Sequence, residues 1–566
     1  MSQNNWRSRA GTQFEPTKQM ATGSQGVVSA NHPLGAAAGM QMLARGGNAI
    51  DAAVATLFAL NVVEPMMVGL FGAGWTQIRL ADGRNIVIDN YSTAPAAATP
   101  DLYTPISDEW PDYMQTDGSK NMLGHLACGV PGTLKAWCEL LDNYGTLDLK
   151  TVLQPAIQYA EDGFLATPYL HECTAYVSAE LAQFEEICSI FLPNGQPIQA
   201  GALVLQPDLA NTLRGIAQHG SNYLYDGPLG ERIVDYIQQN GGIMTMADLQ
   251  GYQTVERPVL KGTYRGYEIL VPSPPCSGGA HILQILNILE GFDIAGLGFG
   301  SIESIHLIAE ALKIAFADRA QHMGDPDLQQ VPTDWLISKA YGQLRQADID
   351  PDCAKAQQAS IPPAVESADT THVTTADQHG NIVCMTQTIN QIFGSKVMVP
   401  KTGVILNNTM ALFDPHPGQA NSVAANKRMV SSMCPTIVLK DGDPFMALGT
   451  PGGVRIFPSV LQAIVNVIDH GMTLQEAVEA PRVWTQGQEL ELEHAIPNSV
   501  KQGLVQKGHV PIDVMAVAGG MNGVLFDTSA GSLHGAACWR ADGTSIGLGG
   551  GLAQPGIRFV PDQRKK

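Results

Sequence analysis

The sequence contains little positive charge. Lysine and arginine total 33 against 53 aspartates and glutamates, which gives a formal net charge of -20, and no basic cluster stands out. A chain of this charge repels the phosphates of nucleic acids and the headgroups of anionic lipids. We therefore expect neither a nucleic acid nor a membrane surface as a partner.

Paired cysteines and metal-ligand motifs are missing as well. The nine cysteines are scattered without a C-x-x-C pair, and the 14 histidines include no H-E-x-x-H motif. This pattern is typical of a reducing compartment and predicts neither a disulfide framework nor a zinc site. We expect a cytoplasmic enzyme that uses no metal and no other cofactor.

The sequence also lacks a long uninterrupted apolar run. Its most apolar stretch, residues 52–70, is broken by Asn61, Glu64 and Pro65, so it predicts a buried helix and a loop instead of a membrane span. Residues 1–24 are polar, and we expect them to form a loose tail without a signal peptide.

The sequence contains enough apolar residues to build a large core. Of the 566 residues, 45% are hydrophobic and 15% charged. Helical patterns dominate the first part, with helices beginning at Pro33 and Asn48 and another over residues 290–320. Strand patterns dominate after residue 370. Together they predict a layered α/β (α+β) fold in which helices cover central sheets.

A polar segment, at about 345–369, separates the two parts. It contains three prolines, shows no periodic pattern, and predicts an exposed linker. Directly after it, Thr370, Thr371 and His372 begin a strand pattern, THVTTAD, which a turn joins to a second one, IVCMTQTI.

The junction at Thr370 has the features of a nucleophile that the chain generates itself. A threonine hydroxyl reacts poorly unless a base lies beside it, and its own α-amino group can be that base once the preceding peptide bond is cut. An α-amine with a pKa of about 8 accepts a proton well at neutral pH. Taken alone, a Thr-Thr pair at a strand start is more often explained by β-propensity.

A family resemblance favours the nucleophile. The segment TTHVTTADQHGNIVCMTQTINQIFG (370–394) resembles the start of the small subunit of the γ-glutamyltransferases, or glutathione hydrolases. Other segments match the same family in the same order: GGNAIDAAVA (46–55), GVPGT (129–133), GTYRGYEI (262–269), PPCSGGAHILQILNILEGFD (274–293), AEALKIAFADRAQHMGDPD (309–327), GVILNNTM (403–410), KRMVSSMCPTIV (427–438) and GTPGGVRIFPSVLQAIVN (449–466). On these segments the chain is identified as a member of that family.

The resemblance implies a four-layer αββα sandwich of the N-terminal-nucleophile hydrolase superfamily. One precursor would be cut between Asp369 and Thr370 into a large subunit (25–369) and a small catalytic subunit (370–566). The two would remain together as a heterodimer in one compact fold. The implied reaction is the cleavage of γ-glutamyl amides such as glutathione, through an acyl-enzyme on Thr370.

The resemblance also implies roles for single residues. Thr370 is the expected nucleophile, and Thr388 is the second threonine that hydrogen-bonds to it. Gly452 and Gly453 match the backbone amides of the oxyanion hole, where the lack of Cβ lets the N–H groups approach an anion.

The substrate's head group is expected to meet a second set of residues. Ser431 and Ser432 match the pair that binds the α-carboxylate, and Asn390 matches a residue that contacts the α-amino group.

Three positions depart from the family pattern. Tyr91 occupies the place of an arginine that pairs with the α-carboxylate, Leu412 that of an aspartate that binds the α-ammonium, and Thr409 that of a glutamine. Loss of a charged partner typically costs about 1.5–3 kcal/mol. Arg455 is our candidate for a replacement carboxylate clamp.

Three functions stay open on this basis. The first is a γ-glutamyl hydrolase or transferase. The second is an acylase of the same fold that acts on glutaryl amides of the cephalosporin type, or on other non-glutamyl amides; a glutaryl group has no α-ammonium to place beside Leu412. The third is an uncut, non-catalytic binding protein. In the first two the substrate is a small-molecule amide or peptide.

Overall fold

The computed structural model describes residues 6–109, 111–355 and 369–551. The strands in these ranges are β1 (Ala21–Gly23), β2 (Gly26–Ala30), β3 (Ala73–Arg79), β4 (Asn85–Asp89), β5 (Phe164–Leu165), β6 (Leu203–Val204), β7 (Val255–Arg257), β8 (Val259–Tyr264), β9 (Tyr267–Pro272), β10 (Thr371–Asp377), β11 (Ile382–Thr388), β12 (Thr436–Lys440), β13 (Asp443–Gly449), β14 (Val483–Trp484), β15 (Leu490–Glu493), β16 (Pro511–Val514), β17 (Asn522–Asp527), β18 (Ser532–Ala537) and β19 (Thr544–Leu548).

The helices in the same ranges are α1 (Pro33–Ala44), α2 (Ala49–Val63), α3 (Thr133–Tyr144), α4 (Leu149–Asp162), α5 (Pro168–Tyr176), α6 (Ser178–Leu181), α7 (Glu185–Phe191), α8 (Pro207–His219), α9 (Asn222–Tyr225), α10 (Pro228–Gln239), α11 (Met246–Gly251), α12 (Ser277–Leu289), α13 (Ile294–Leu297), α14 (Ile302–His322), α15 (Thr333–Leu336), α16 (Lys339–Gln346), α17 (Ile456–Ile468), α18 (Leu474–Glu479) and α19 (Asn498–Gln506). Among the described helices, none is both long and apolar enough to cross a bilayer.

Two antiparallel seven-stranded sheets form the centre of the molecule. One has the order β1-β18-β17-β13-β12-β9-β8, and the other, which we call the nucleophile sheet, has the order β19-β2-β10-β11-β3-β4-β7. The sheets face each other, with β10 against β17 and β11 against β13. Helices α1 and α2 cover the nucleophile sheet, while α12 and α17 cover the other. The αββα layers confirm the predicted fold.

The helices that cover the nucleophile sheet begin where the sequence predicts. Pro33 is the first residue of α1, and the side chain of Asn48 accepts hydrogen bonds from the backbone of Ile50 and Asp51 at the start of α2. Every residue of α2 is buried. Its many alanines let the helix pack closely between the sheet and its neighbours, as expected for a helix apolar on all sides.

The long helix predicted over residues 290–320 is wrong at its start. Helix α14 begins only at Ile302, where the side chain of Ser301 caps it. The residues before it contain Gly298 and Gly300, whose φ angles are +83° and +61°. These left-handed conformations end any continuous helix.

The prediction of a loose tail is wrong over residues 6–24. Trp6 is only 3% exposed and lies between Phe14 and Phe299, with ring centroids 5.3 and 5.6 Å away. Strand β1 then pairs with β18 at a sheet edge. Burial of these aromatic rings holds the segment, although its composition is polar.

Part of the predicted linker can be described. Residues 347–355 form no helix or strand, and residues 356–368 lie outside the described residues. The chain is described again from Asp369, directly before β10.

Candidate active site

Antiparallel pairing brings Thr370 and Thr388 together. Strand β10 lies between β2 and β11, and Thr371 pairs with Gln387. Thr388 ends β11, so the same register places it opposite Thr370. Both threonines are buried. A single hairpin therefore brings together two threonines that are 18 residues apart in sequence.

The two hydroxyl groups converge on one carbonyl. Thr370 Oγ1 lies 2.7 Å from the carbonyl oxygen of Asp369 and 3.3 Å from Thr388 Oγ1. The Thr388 hydroxyl donates to the same carbonyl oxygen over 2.7 Å. The peptide bond between Asp369 and Thr370 is intact, so the structure represents the uncut chain. The hydroxyl oxygen of Thr370 lies beside the peptide bond that joins Asp369 to Thr370.

Backbone contacts fix the second threonine and its neighbour. Asn390 has a φ of +80°, and its N–H donates to Thr388 Oγ1 over 2.8 Å. The Asn390 side-chain amide donates to the carbonyl and side-chain oxygens of Asn408 over 3.0 and 3.1 Å. The predicted contact of Asn390 with a substrate amine stays a prediction; in the uncut chain this amide orders the loop after β11.

His372 is not available as a base. Its Nδ1 lies 2.8 Å from Thr386 Oγ1 and its Nε2 lies 3.0 Å from Thr374 Oγ1. Complete burial lowers the pKa of His372 to about 3, so the ring is neutral at physiological pH. The contacts give His372 a structural role in the pairing of β10 with β11.

Glu64 is a site residue that sequence reasoning missed. The hydroxyl of Thr371, the residue after the nucleophile, donates to Glu64 Oε2 over 2.6 Å. Burial raises the pKa of Glu64 to about 8, although this hydrogen bond opposes the increase. The carboxyl group is therefore mostly protonated at neutral pH. The signal in the sequence was an acidic residue inside the apolar stretch 52–70.

The glycine loop after β13 lies beside the start of β10. A Cβ on Gly449, the last residue of β13, would come within 2.3 Å of the His372 ring. The chain then turns through Gly452 and Gly453, whose φ angles are +141° and +56°. At Gly452 a Cβ would also meet the Cβ of Ala518 at 2.5 Å. Only glycine suits this backbone, and the role of its amides in an oxyanion hole stays a prediction.

The two positions where charged residues were expected hold buried side chains of an apolar cluster. Tyr91 and Leu412 are buried members of the same cluster of apolar side chains, together with Cys276 and Met433. Thr409 donates from its hydroxyl to Asn407 Oδ1 over 2.8 Å. All three departures from the family pattern are therefore buried.

The serine pair is fixed to the turn that precedes α12. The N–H of Ser431 donates to the carbonyl of Pro275 over 3.1 Å, and its own carbonyl accepts from the backbone and the hydroxyl of Ser277 over 2.7 and 2.9 Å. Ser432 is likewise fully buried. The turn and the serine pair are far apart in sequence, and these bonds join them.

The structure gives Arg455 a different partner from the predicted one. Its Nε donates to Glu491 Oε2 over 2.7 Å, and its Nη2 donates to the other oxygen of that carboxylate. The guanidinium also lies 4.1 Å above the ring of Trp484. Because the bidentate pair neutralises Arg455, the structure contradicts its assignment as the carboxylate clamp.

Comparisons with known proteins agree with this geometry. A family model described as gamma-glutamyltranspeptidase matches residues 35–548. An acylase ACY 1 proenzyme of Pseudomonas sp. (strain V22) is 55% identical over 547 residues, which cover 97% of this chain and 98% of that protein. The glutathione hydrolase proenzyme of Escherichia coli (strain K12) is 41% identical over 472 residues, covering 81% and 80%.

The structural comparison gives the same result. The crystal structure of cephalosporin acylase from Bacillus halodurans matches with a TM-score of 0.85 at 28% identity, covering 95% of this chain and 98% of that one. Sequence, fold and the position of the two threonines all lead to one assignment. The chain belongs to the gamma-glutamyltranspeptidase family of N-terminal-nucleophile hydrolases.

Proposed function

We propose that the chain is a proenzyme that cuts itself between Asp369 and Thr370 and then cleaves amides with Thr370 as its N-terminal nucleophile. One observation carries the proposal: the Thr370 hydroxyl lies 2.7 Å from the oxygen of the carbonyl that precedes it. The Thr388 hydroxyl donates to that same oxygen.

Self-cleavage takes two balanced steps. The oxygen of Thr370 attacks the carbonyl carbon of Asp369, the peptide C–N bond breaks, and the hydroxyl proton ends on the nitrogen. The ester that forms is then hydrolysed by water. Asp369 ends the large chain with a carboxylate, and Thr370 begins the small chain with a free amine. Donation from Thr388 stabilises the negative oxygen of the intermediate.

The cut chains have a physical reason to remain together as a heterodimer. Strand β10 of the small chain pairs with β2 of the large chain, and β12 pairs with β9. Both central sheets therefore contain strands of both chains. Separation would expose ladder hydrogen bonds and the apolar core between the sheets.

In turnover the new α-amine of Thr370 accepts the hydroxyl proton and later passes it to the leaving amine. The amides of Gly452 and Gly453 hold the oxyanion of each tetrahedral intermediate. Water or another amine then releases the acyl group from Thr370.

For the acyl group we favour a glutaryl-type chain, which has a terminal carboxylate and no α-ammonium. Leu412 supports this choice, because it is a buried apolar side chain at the place of the aspartate that would bind an α-ammonium. The 55% identity to a protein named as an acylase supports it as well. A γ-glutamyl substrate is the second candidate, favoured by Ser431 and Ser432 and by the 41% identical glutathione hydrolase.

A pair of anilides separates the two candidates. Purified protein is assayed with glutaryl p-nitroanilide and γ-glutamyl p-nitroanilide, and Thr370→Ala is the control for background hydrolysis. We expect the larger kcat/KM for the glutaryl compound. A larger value for the γ-glutamyl compound would reverse the preference. Wild type that stays intact and cleaves neither anilide above the control would indicate the non-catalytic binding protein.

A further inference from the structure

A group of metal-ligand side chains lies outside the active-site residues described above. His306 and Glu310 are one turn apart on α14, and His509 follows α19. One ligand atom from each lies within 4.8 Å of the others, and all three residues are buried. Sequence spacing did not reveal this group because His509 lies 203 residues from His306.

The hydrogen bonds of His306 fix the tautomer of its ring and so determine which nitrogen could bind a metal. Its Nε2 lies 2.8 Å from the carbonyl oxygen of Asp350, which can only accept, so Nε2 carries the ring proton. The lone pair on Nδ1 therefore faces His509 Nε2, 2.8 Å away. A metal-bound histidine commonly donates its other ring N–H to a backbone carbonyl, which fixes the tautomer in this way.

The other two side chains also offer ligand atoms. His509 Nε2 donates to His306 Nδ1, and a shift of the His509 proton to Nδ1 would free Nε2 for an ion. Glu310 accepts from Lys313 Nζ over 2.7 Å and from the backbone N–H of Lys355 over 3.2 Å. A carboxylate has further lone pairs for an ion.

We propose that His306, Glu310 and His509 bind a divalent metal ion of the zinc class. Two imidazoles and one carboxylate suit Zn²⁺ among the common cations, with a fourth position for water. Binding requires the His509 proton to move from Nε2 to Nδ1. Because Zn–N bonds are about 2.0–2.1 Å long, the facing nitrogens must also separate to about 3.3 Å. The charge of Lys313 opposes the ion and limits its affinity.

One consequence rests on the proposed cleavage. His306 and Glu310 belong to the large chain and His509 to the small chain, so the ion would join the two. It would also hold residues 350–355, which contact this group through Asp350 and Lys355. Metal binding itself does not need the cut, so a failure of the site and a failure of self-cleavage can be told apart.

Zinc binding is measured on full-length protein that has been dialysed against a chelator and then against metal-free buffer. Calorimetric titration with ZnCl₂ is expected to show one site per molecule. His509→Gln and His306→Gln should each weaken binding by at least about tenfold. The exposed His219 gives the matched control, and His219→Gln should bind like wild type. Circular dichroism checks that each variant is folded.

Lys313→Met tests the position of the ion. Removing this positive charge should tighten zinc binding, because Glu310 is freed and the repulsion is gone. Unchanged or weaker binding in a folded Lys313→Met protein would overturn the three-ligand site. The proposal also fails if wild type binds no zinc, or if binding is the same in the two histidine variants as in wild type.

Discussion

Replacing Thr388 by alanine removes the hydroxyl that donates to the scissile carbonyl. That bond is 2.7 Å long, and the N–H of Asn390 orients the same hydroxyl over 2.8 Å. Loss of one donor to a developing oxyanion typically slows a reaction by about 10²–10³, or about 2.7–4 kcal/mol. We expect Thr388→Ala to slow self-cleavage by this factor. Thr388→Ser keeps the hydroxyl and should stay within about tenfold of wild type.

The rate is best followed from the moment of synthesis. Each variant is made by cell-free translation with a labelled amino acid, translation is stopped, and the conversion of one band to two is timed on denaturing gels. Thermal melting of the purified uncut chain controls for misfolding. Thr388→Ala cleaving as fast as wild type would refute the role of this hydroxyl, and so would a Thr388→Ser protein as slow as the alanine variant.

Three further predictions concern the surroundings of Thr370. The double variant Tyr91→Arg, Leu412→Asp should have a lower KM for γ-glutamyl p-nitroanilide and a higher KM for the glutaryl compound, with smaller changes in kcat. Unchanged KM values would show that these positions do not contact the head group. Burial raises the pKa of Glu64 from 4.5 to about 8, so its contribution to stability is full below pH 4.5 and is lost as pH rises through about 8. In the Thr370→Ala precursor, urea titrations should therefore show that the unfolding free energy falls between pH 4.5 and 8. Glu64→Gln should reduce this fall by at most about 5 kcal/mol. An equally steep fall in the Glu64→Gln variant would exclude Glu64 as its source. Arg455→Gln should lower Tm by breaking the carboxylate pair without changing KM for either anilide, and a selective rise in KM would restore the clamp assignment.

Local chemistry made several elements predictable. Pro33 and Asn48 begin helices because a fixed φ and a capping side chain act within one turn. The start of α14 was missed because an apolar pattern continues through glycines whose left-handed backbone breaks the helix. The packing of Trp6 was missed because one of its two ring partners, Phe299, lies far along the chain.

In the candidate site, too, some residues could be predicted from the sequence and others could not. Thr370, Thr388 and the glycine loop were predicted from the family resemblance, and a single hairpin then brings the two threonines together. Arg455 could not be assigned correctly, since Glu491 and Trp484 reach it only in the folded chain. Where a charged side chain points depends on which partners the fold brings to it.

Identifying the first residue of the small chain tests the central claim most directly. Active wild-type protein is separated on a denaturing gel, and the smaller band is examined by N-terminal sequencing and intact mass. We predict that it begins at Thr370 and comprises residues 370–566, while the larger chain ends at Asp369. A single intact chain in fully active protein, or a small chain that begins at any other residue, would contradict the account.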